Sequence, residues 1–303
     1  MTQTVLLAGA TGMLGGRIAR RLLDRPDARV RLLVRGGDSG KRAALDPLLA
    51  RGAEIIEGDL ADRASLDRAT LGVAVIFSAV QGRPDVIVDG QVALAEIGRR
   101  NGVRRILPSD FALDLFEATP GEHAMFDLRR AADEKIAATG IEHVHVLQGA
   151  LMEMFGPGMG TFDHEAGTVA FWGDGTRPIE VTGVEDTARM AARVALDRTV
   201  RNGKFAVAGD RISILGAADV VEARTGRRFE RRPLGSEADL RAAIAEARED
   251  ASDPFKAVML AYRLYMLTGQ TALSGLQDDR YPDLELENFA AFAARALPRR
   301  AAA

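Results

Sequence analysis

A chain of 303 residues, 47% hydrophobic and 27% charged, can bury a sizeable core, which excludes general disorder and fits one large α/β domain or one carrying a smaller partner. A formal charge of −3, from 40 basic and 43 acidic residues, gives no overall field for nucleic acid or an anionic membrane. With no cysteine, disulfides, thiolate catalysis, Cys-bound zinc and iron–sulfur clusters are all removed.

In chain order, residues 4–8 read as a strand, 14–23 as a helix and 30–34 as the next strand. Further strands are expected at 54–57, 73–78 and 104–107, with helix-like spacing at 41–51, 64–69 and 87–101. A long helix at 124–139, ended by Gly140, leads into a sixth strand at 143–147. Apolar strands separated by helices predict a parallel sheet covered on both faces. Beyond Ala150 the rhythm changes: glycines cluster at 155–160, a short strand is expected at 167–172, and helices at 236–249, 254–267 and 285–297. The expected architecture is a doubly wound α/β domain over residues 1–150, with a strand and helix returning from about 184–208. Residues 151–183 and 209–303 would form a smaller α/β cap. No hydrophobic signal stretch precedes the first strand, and no apolar run approaches the ~20 residues that span a bilayer. The expectation is a cytoplasmic monomer or homodimer with no nucleic-acid or membrane partner.

The strongest local signal is Val5-Leu-Leu-Ala-Gly-Ala-Thr-Gly-Met-Leu-Gly15, between a predicted strand and a predicted helix. Gly9 would allow a tight turn, Gly12 close approach of the backbone to a diphosphate, and Gly15 close helix–strand packing. Thr11, Met13 and Leu14 complete the loop, and the helix N-terminus offers free N–H groups and a positive dipole end. At the first strand of an alternating α/β chain, this G-x-x-G-x-x-G variant reads as a dinucleotide-binding (Rossmann) loop; otherwise it is a glycine-rich turn with no ligand. The second strand ends in Arg35, where NAD-preferring sites tend to carry Asp or Glu for the ribose 2′-hydroxyl. A guanidinium binds a 2′-phosphate through two hydrogen bonds, and Lys41 adds charge, so the expected cofactor is NADP(H). Asp59 is placed either to accept from the adenine amino group or to cap the next helix, and Leu60 adjoins it. Ser78, Ala79, Val80 and Gln81 follow the fourth strand, at the carboxyl edge where open sheets bind ligands. Ser109, at the end of the fifth strand, is read as a cofactor or substrate contact or as a turn residue.

These residues together resemble the atypical short-chain dehydrogenases that include NmrA-like proteins and isoflavone reductases. The resemblance extends to Glu57-Gly-Asp-Leu60, Gly102-Val-Arg-Arg-Ile-Leu-Pro-Ser-Asp-Phe111, Phe171-Trp-Gly-Asp-Gly175, Val184-Glu-Asp-Thr-Ala188 and Tyr281-Pro-Asp283. It implies an NADPH-binding domain and a small substrate domain with a cleft between them.

The catalytic equipment departs from both patterns. Many short-chain dehydrogenases use a Tyr-x-x-x-Lys pair to protonate a carbonyl. The three tyrosines here, at 262, 265 and 281, all lie too far along the chain. Setting Phe126 and Gly140-Ile141 on the isoflavone-reductase-like pattern puts Arg129 where that family carries its catalytic lysine. Arginine is a poor proton donor but can stabilise an oxyanion; otherwise Arg129 is an exposed helix residue beside Arg130. His123, before that helix, is the neighbour best suited to supply a proton, or a loop histidine with no role. Lys135 lies about 240° further round the helix than Arg129 and points elsewhere. His143 and His145 share one face of a predicted strand; with no further ligand evident, packing is expected there and no metal site. The predicted activity is NAD(P)H-dependent reduction of a small apolar or aromatic carbonyl, enone or quinone. The alternative is an NmrA-like NADP(H) sensor without turnover. Residues 150–155 and 259–266, rich in Met and aromatic side chains, would line the substrate cleft or serve as core.

Overall fold

The computed structural model describes residues 2–37, 39–157 and 161–297, without the side chains of 39, 41 and 254. Its first half runs β1 (Gln3–Ala8), α1 (Met13–Leu23), β2 (Ala28–Val34), α2 (Ser39–Ala43), α3 (Asp46–Leu49), β3 (Glu54–Glu57), α4 (Arg63–Thr70), β4 (Val75–Ser78), α5 (Gln91–Arg100), β5 (Arg105–Leu107), α6 (Ala124–Ala138) and β6 (Glu142–Leu147). There follow β7 (Ala150–Leu151), β8 (Phe162–Asp163), β9 (Thr168–Phe171), β10 (Ile179–Thr182), α7 (Val184–Leu196), β11 (Gly203–Ala206), β12 (Asp210–Ile212), α8 (Ile214–Thr225), β13 (Glu230–Pro233), α9 (Glu237–Glu249), α10 (Pro254–Thr268) and α11 (Phe289–Ala296).

Three expected helices differ in a way local chemistry explains. The helix predicted over 41–51 is two short ones: Pro47 has no N–H to donate to the carbonyl of Ala43, and it falls instead in the first turn of the second helix, where that N–H is not needed. The helix predicted from 87 opens with one wide turn over Asp85–Gly90. The closing helix begins later than expected, at Phe289, behind the N-cap Asn288, whose side chain accepts from Ala291 N–H and sets the first turn.

One seven-stranded sheet has the order β11-β6-β5-β4-β1-β2-β3. β1 pairs in parallel with β2 and β4, and β2–β3, β4–β5 and β5–β6 are parallel too. Val5, Leu6 and Leu7 of β1 and Val75, Ile76 and Phe77 of β4 are fully buried, as a doubly wound sheet requires. The strand order reverses between β1 and β4, and ligands of open sheets bind beyond the carboxyl ends of strands at that switch point.

Arg105, inside β5, is completely buried. Its Nε pairs with Glu142 of β6, and its other nitrogens donate to the carbonyls of Val194 and Asp197, at 2.7 and 2.8 Å, and of Val200. A cation at the C-terminus of α7 thus satisfies carbonyls that a helix end leaves unpaired.

The chain divides into two compact units: residues 1–111, 128–146 and 187–205, and residues 112–127, 147–186 and 206–303. Residues 112–127, expected in the first unit, belong to the second because Leu113, Leu115 and Phe126 bury themselves in its core. That core gathers Phe155, Phe162, Phe289 and Tyr265, with the small sheets β12-β10-β7 and β13-β9-β8. Among the described residues, no helix is long and apolar enough to cross a membrane.

Candidate cofactor and active site

The turn after β1 is built on contacts that only glycine permits. Gly9 has φ +92°, and a Cβ there would stand 2.3 Å from the Ala79 carbonyl oxygen. A Cβ on Gly15 would stand 2.2 Å from Gly9 O, so the first turn of α1 lies directly against the end of β1. Gly12 N–H donates to Gly9 O at 3.0 Å, and Gly12 is the extended N-cap of α1 with no side-chain cap. The helix therefore opens on backbone N–H groups next to exposed Thr11 and Met13, an anion-binding geometry. Leu14 is half-buried behind them.

Arg35 follows β2 and is exposed. The Lys41 side chain lies outside the described residues, and Arg42 beside it pairs with Glu57 at 2.6 Å. Asp59 does not cap α4; Asp62 does, accepting from Ala64 N–H. Asp59 is exposed and accepts from Ala61 N–H at 2.9 Å, while its own N–H donates to Ser65 Oγ beside Leu60. At the end of β4, the Ser78 hydroxyl is buried and has no protein partner, Ala79 N–H donates to Ala8 O, and Gln81 is exposed. The Ser109 hydroxyl donates to Val80 O at 2.7 Å, and Ser109 N–H donates to the Gln91 side chain. Ser109 thus clips β5 to the loop after β4, which holds residues 78–81 in place.

Beyond Ser109 lies a buried ionisable cluster within the first unit. His145 Nδ1 is 2.7 Å from Asp110 Oδ2 and 3.8 Å from Asp133 Oδ1. Both Asp133 oxygens and Asp110 Oδ1 are buried without a hydrogen-bond partner. Burial, with the Asp110 charge adding to it, pushes the Asp133 carboxyl up to about 9 against the pull of the Arg129 guanidinium. Arg129, one turn earlier on α6, is buried at 6% exposure rather than lying on the surface, and its Nε and Nη1 have no hydrogen-bond partner. Lys135 is exposed on another face of the helix.

His123 belongs to the second unit and is also buried. Its Nδ1 accepts from Phe126 N–H at 3.2 Å, which puts the neutral ring's proton on Nε2. The ring stacks on Phe126 at 3.9 Å and meets Tyr262 edge-on at 4.4 Å. Tyr262 in turn helps line a pocket partly open to solvent, with Met154, Trp172, Ile214, Met259 and Met266. Two arginines, Arg177 and Arg263, border this apolar space, and burial draws the Arg263 guanidinium below its ordinary range. The Trp172 indole N–H is buried with no protein acceptor.

The profile of the NmrA-like family matches residues 1–272. The chain belongs to the NmrA-like family. Pinoresinol reductase 2 of Arabidopsis thaliana is 29% identical over 216 residues, 65% of this chain and 66% of that protein. Aligned stretches span less than two thirds of the length of the first curated relatives. A solved structure described as AtPrR2 with NADP+ and (+)pinoresinol superimposes with a TM-score of 0.84 at 25% identity, covering 97% of this chain and 98% of that one. An isoflavone reductase structure gives a TM-score of 0.84 at 19% identity over 97% and 99% of the two chains, a likeness of fold.

In this NmrA-like protein the glycine turn and the end of β2 are local features, and sequence spacing was enough to find them. The Asp110–Asp133–His145 cluster was missed. Strand spacing shows no further ligand for His145, whereas in the fold the segment after β5 and helix α6 bring two acidic side chains to it. The available signal was Asp110 directly after the fifth strand and Asp133 one helical turn after Arg129.

Proposed function

We propose that this NmrA-like protein is an NADPH-dependent reductase of a small aromatic or apolar carbonyl, enone or quinone. The observation that carries the reading is the turn at Gly9–Gly15, where two contacts too close for any Cβ press backbone together beneath an uncapped helix N-terminus. Such a cradle fits a diphosphate. Gly9, Thr11, Gly12, Met13, Leu14 and Gly15 would hold it, Arg35 and Lys41 the 2′-phosphate, and Asp59 and Leu60 the adenosine end. Residues 78–81 would flank the remaining ribose and ring. NADPH, when bound, supplies a hydride.

The chain's own contribution is electrostatic. Arg129 has two buried donor nitrogens without a protein acceptor, so its role is to hold a developing oxyanion rather than to carry a proton. The proton comes from water or from His123, whose Nε2 bears one in the neutral ring. The methionine-rich pocket of the second unit suits a planar apolar ligand. The reductase names among the relatives support this class of substrate.

A second reading, an NADP(H)-sensing regulator without turnover, is favoured by one observation: a guanidinium stands where a proton-carrying lysine would be expected. Calorimetry with NADPH comes first, then NADPH oxidation across quinones, enones and aryl ketones. Turnover supports the reductase, and unchanged kcat in Arg129→Ala would remove Arg129 from its chemistry. Tight binding with no turnover on any substrate points to the sensor, and no heat with either form of the cofactor defeats both.

A further inference from the structure

The ionisable groups within the first unit have donor types and spacing that the reductase reading does not use. We propose that Asp110, Asp133 and His145 form a buried site for one Zn2+ ion. Each donor comes from a different element: Asp110 from the segment after β5, Asp133 from α6 and His145 from β6. One ligand atom from each lies within 4.8 Å of the other two. Asp110 is fully buried and Asp133 and His145 are each 5% exposed, so these are not surface acids gathered by chance.

Distances favour a single small cation. Zinc bonds of about 2.0–2.2 Å place the donors of a tetrahedral site roughly 3.4 Å apart. Here the imidazole nitrogen is 2.7 Å from one carboxylate oxygen and 3.8 Å from the other, which brackets that edge. The second observation is the Asp133 carboxyl itself. It is nine-tenths buried, its Oδ1 is turned to His145, and neither oxygen receives a hydrogen bond. With no protein donor on either oxygen, both are open to a cation placed between Asp133 and His145. One imidazole and two carboxylates suit zinc, and no thiolate is needed. Arg129 and Glu134, on the same helix, are the other charges felt by Asp133, and the single guanidinium leaves the paired acids in excess.

The test titrates ZnSO4 into the whole protein, stripped with EDTA and desalted, and follows heat. Wild type and His143→Ala should each take up one saturable equivalent, since the ring of His143 is 5.4 Å from that of His145 but outside the donor set. Asp133→Asn, close in shape, should weaken binding by at least roughly tenfold. Absence of saturable binding, binding unchanged in Asp133→Asn, or binding lost in His143→Ala would each overturn the site. Should Asp133→Asn fail to fold, Co2+ in wild type decides. Intense visible bands of a four-coordinate ion support the site, and the pale spectrum of six-coordinate Co2+ refutes it. Neither readout involves NADPH, so the result stands apart from the reductase reading.

Discussion

Replacing Asp133 with asparagine should make the protein more stable as pH rises, the reverse of removing an ordinary paired carboxylate. In the folded chain the carboxyl is pushed up to about 9 from an ordinary 3.8, by burial first and then by Asp110, with Arg129 opposing. Below the ordinary value both folded and unfolded states hold the proton, and the group's contribution is fully present. Between the two values only the unfolded chain releases it, so wild-type stability falls as pH rises, by about 1.4 kcal/mol per unit. From pH 5 to pH 8 this amounts to about 4 kcal/mol, a large share of the 5–15 kcal/mol typical of a domain. Asparagine has no proton to hold, and this slope disappears. Urea unfolding of both proteins in EDTA, at one-unit steps from pH 5 to pH 8, measures the difference directly. Parallel curves would show that Asp133 is not held neutral and refute the reasoning.

Arg105→Leu should destabilise the chain by about 3–5 kcal/mol in urea unfolding, because it removes a buried cation and strands the carbonyls of Val194, Asp197 and Val200. Gly15→Ala gains about 1 kcal/mol of helix propensity, but its Cβ would meet Gly9 O at 2.2 Å, so NADPH affinity measured by calorimetry should fall by at least roughly tenfold. Arg35→Ala should weaken NADPH by roughly tenfold, about 1.4 kcal/mol, while leaving NADH nearly unchanged; equal losses for both would remove Arg35 from the 2′-phosphate.

The parts of the site that were legible beforehand are those whose chemistry is written into neighbouring residues. Three glycines at fixed spacing between an apolar strand and an amphipathic stretch state their own backbone requirement, and the built turn shows the close contacts they permit. The strands of the main sheet were legible because both their faces are buried. Tertiary placement was not. Spacing could not decide whether Asp59 capped the following helix, and the cap proved to be Asp62, one turn closer to that helix. Nor could it show that Arg129 faces inward, since the composition is rich in arginine and the helix carries charge on several sides. The cluster around His145 was least visible, because its members come from three elements that only the folded sheet and helix bring together.

The clasp made by Arg105 also bears on how the gene could be cut. A fragment ending near residue 150 contains the nucleotide turn and six strands, and would look complete to anyone designing an expression boundary. It would lack the end of α7 and all of β11, leaving a guanidinium sealed in the sheet with three of its acceptors deleted and one sheet edge bare. Such a truncation should aggregate, and an independently expressed dinucleotide module would have to carry residues 187–205 grafted back across the gap.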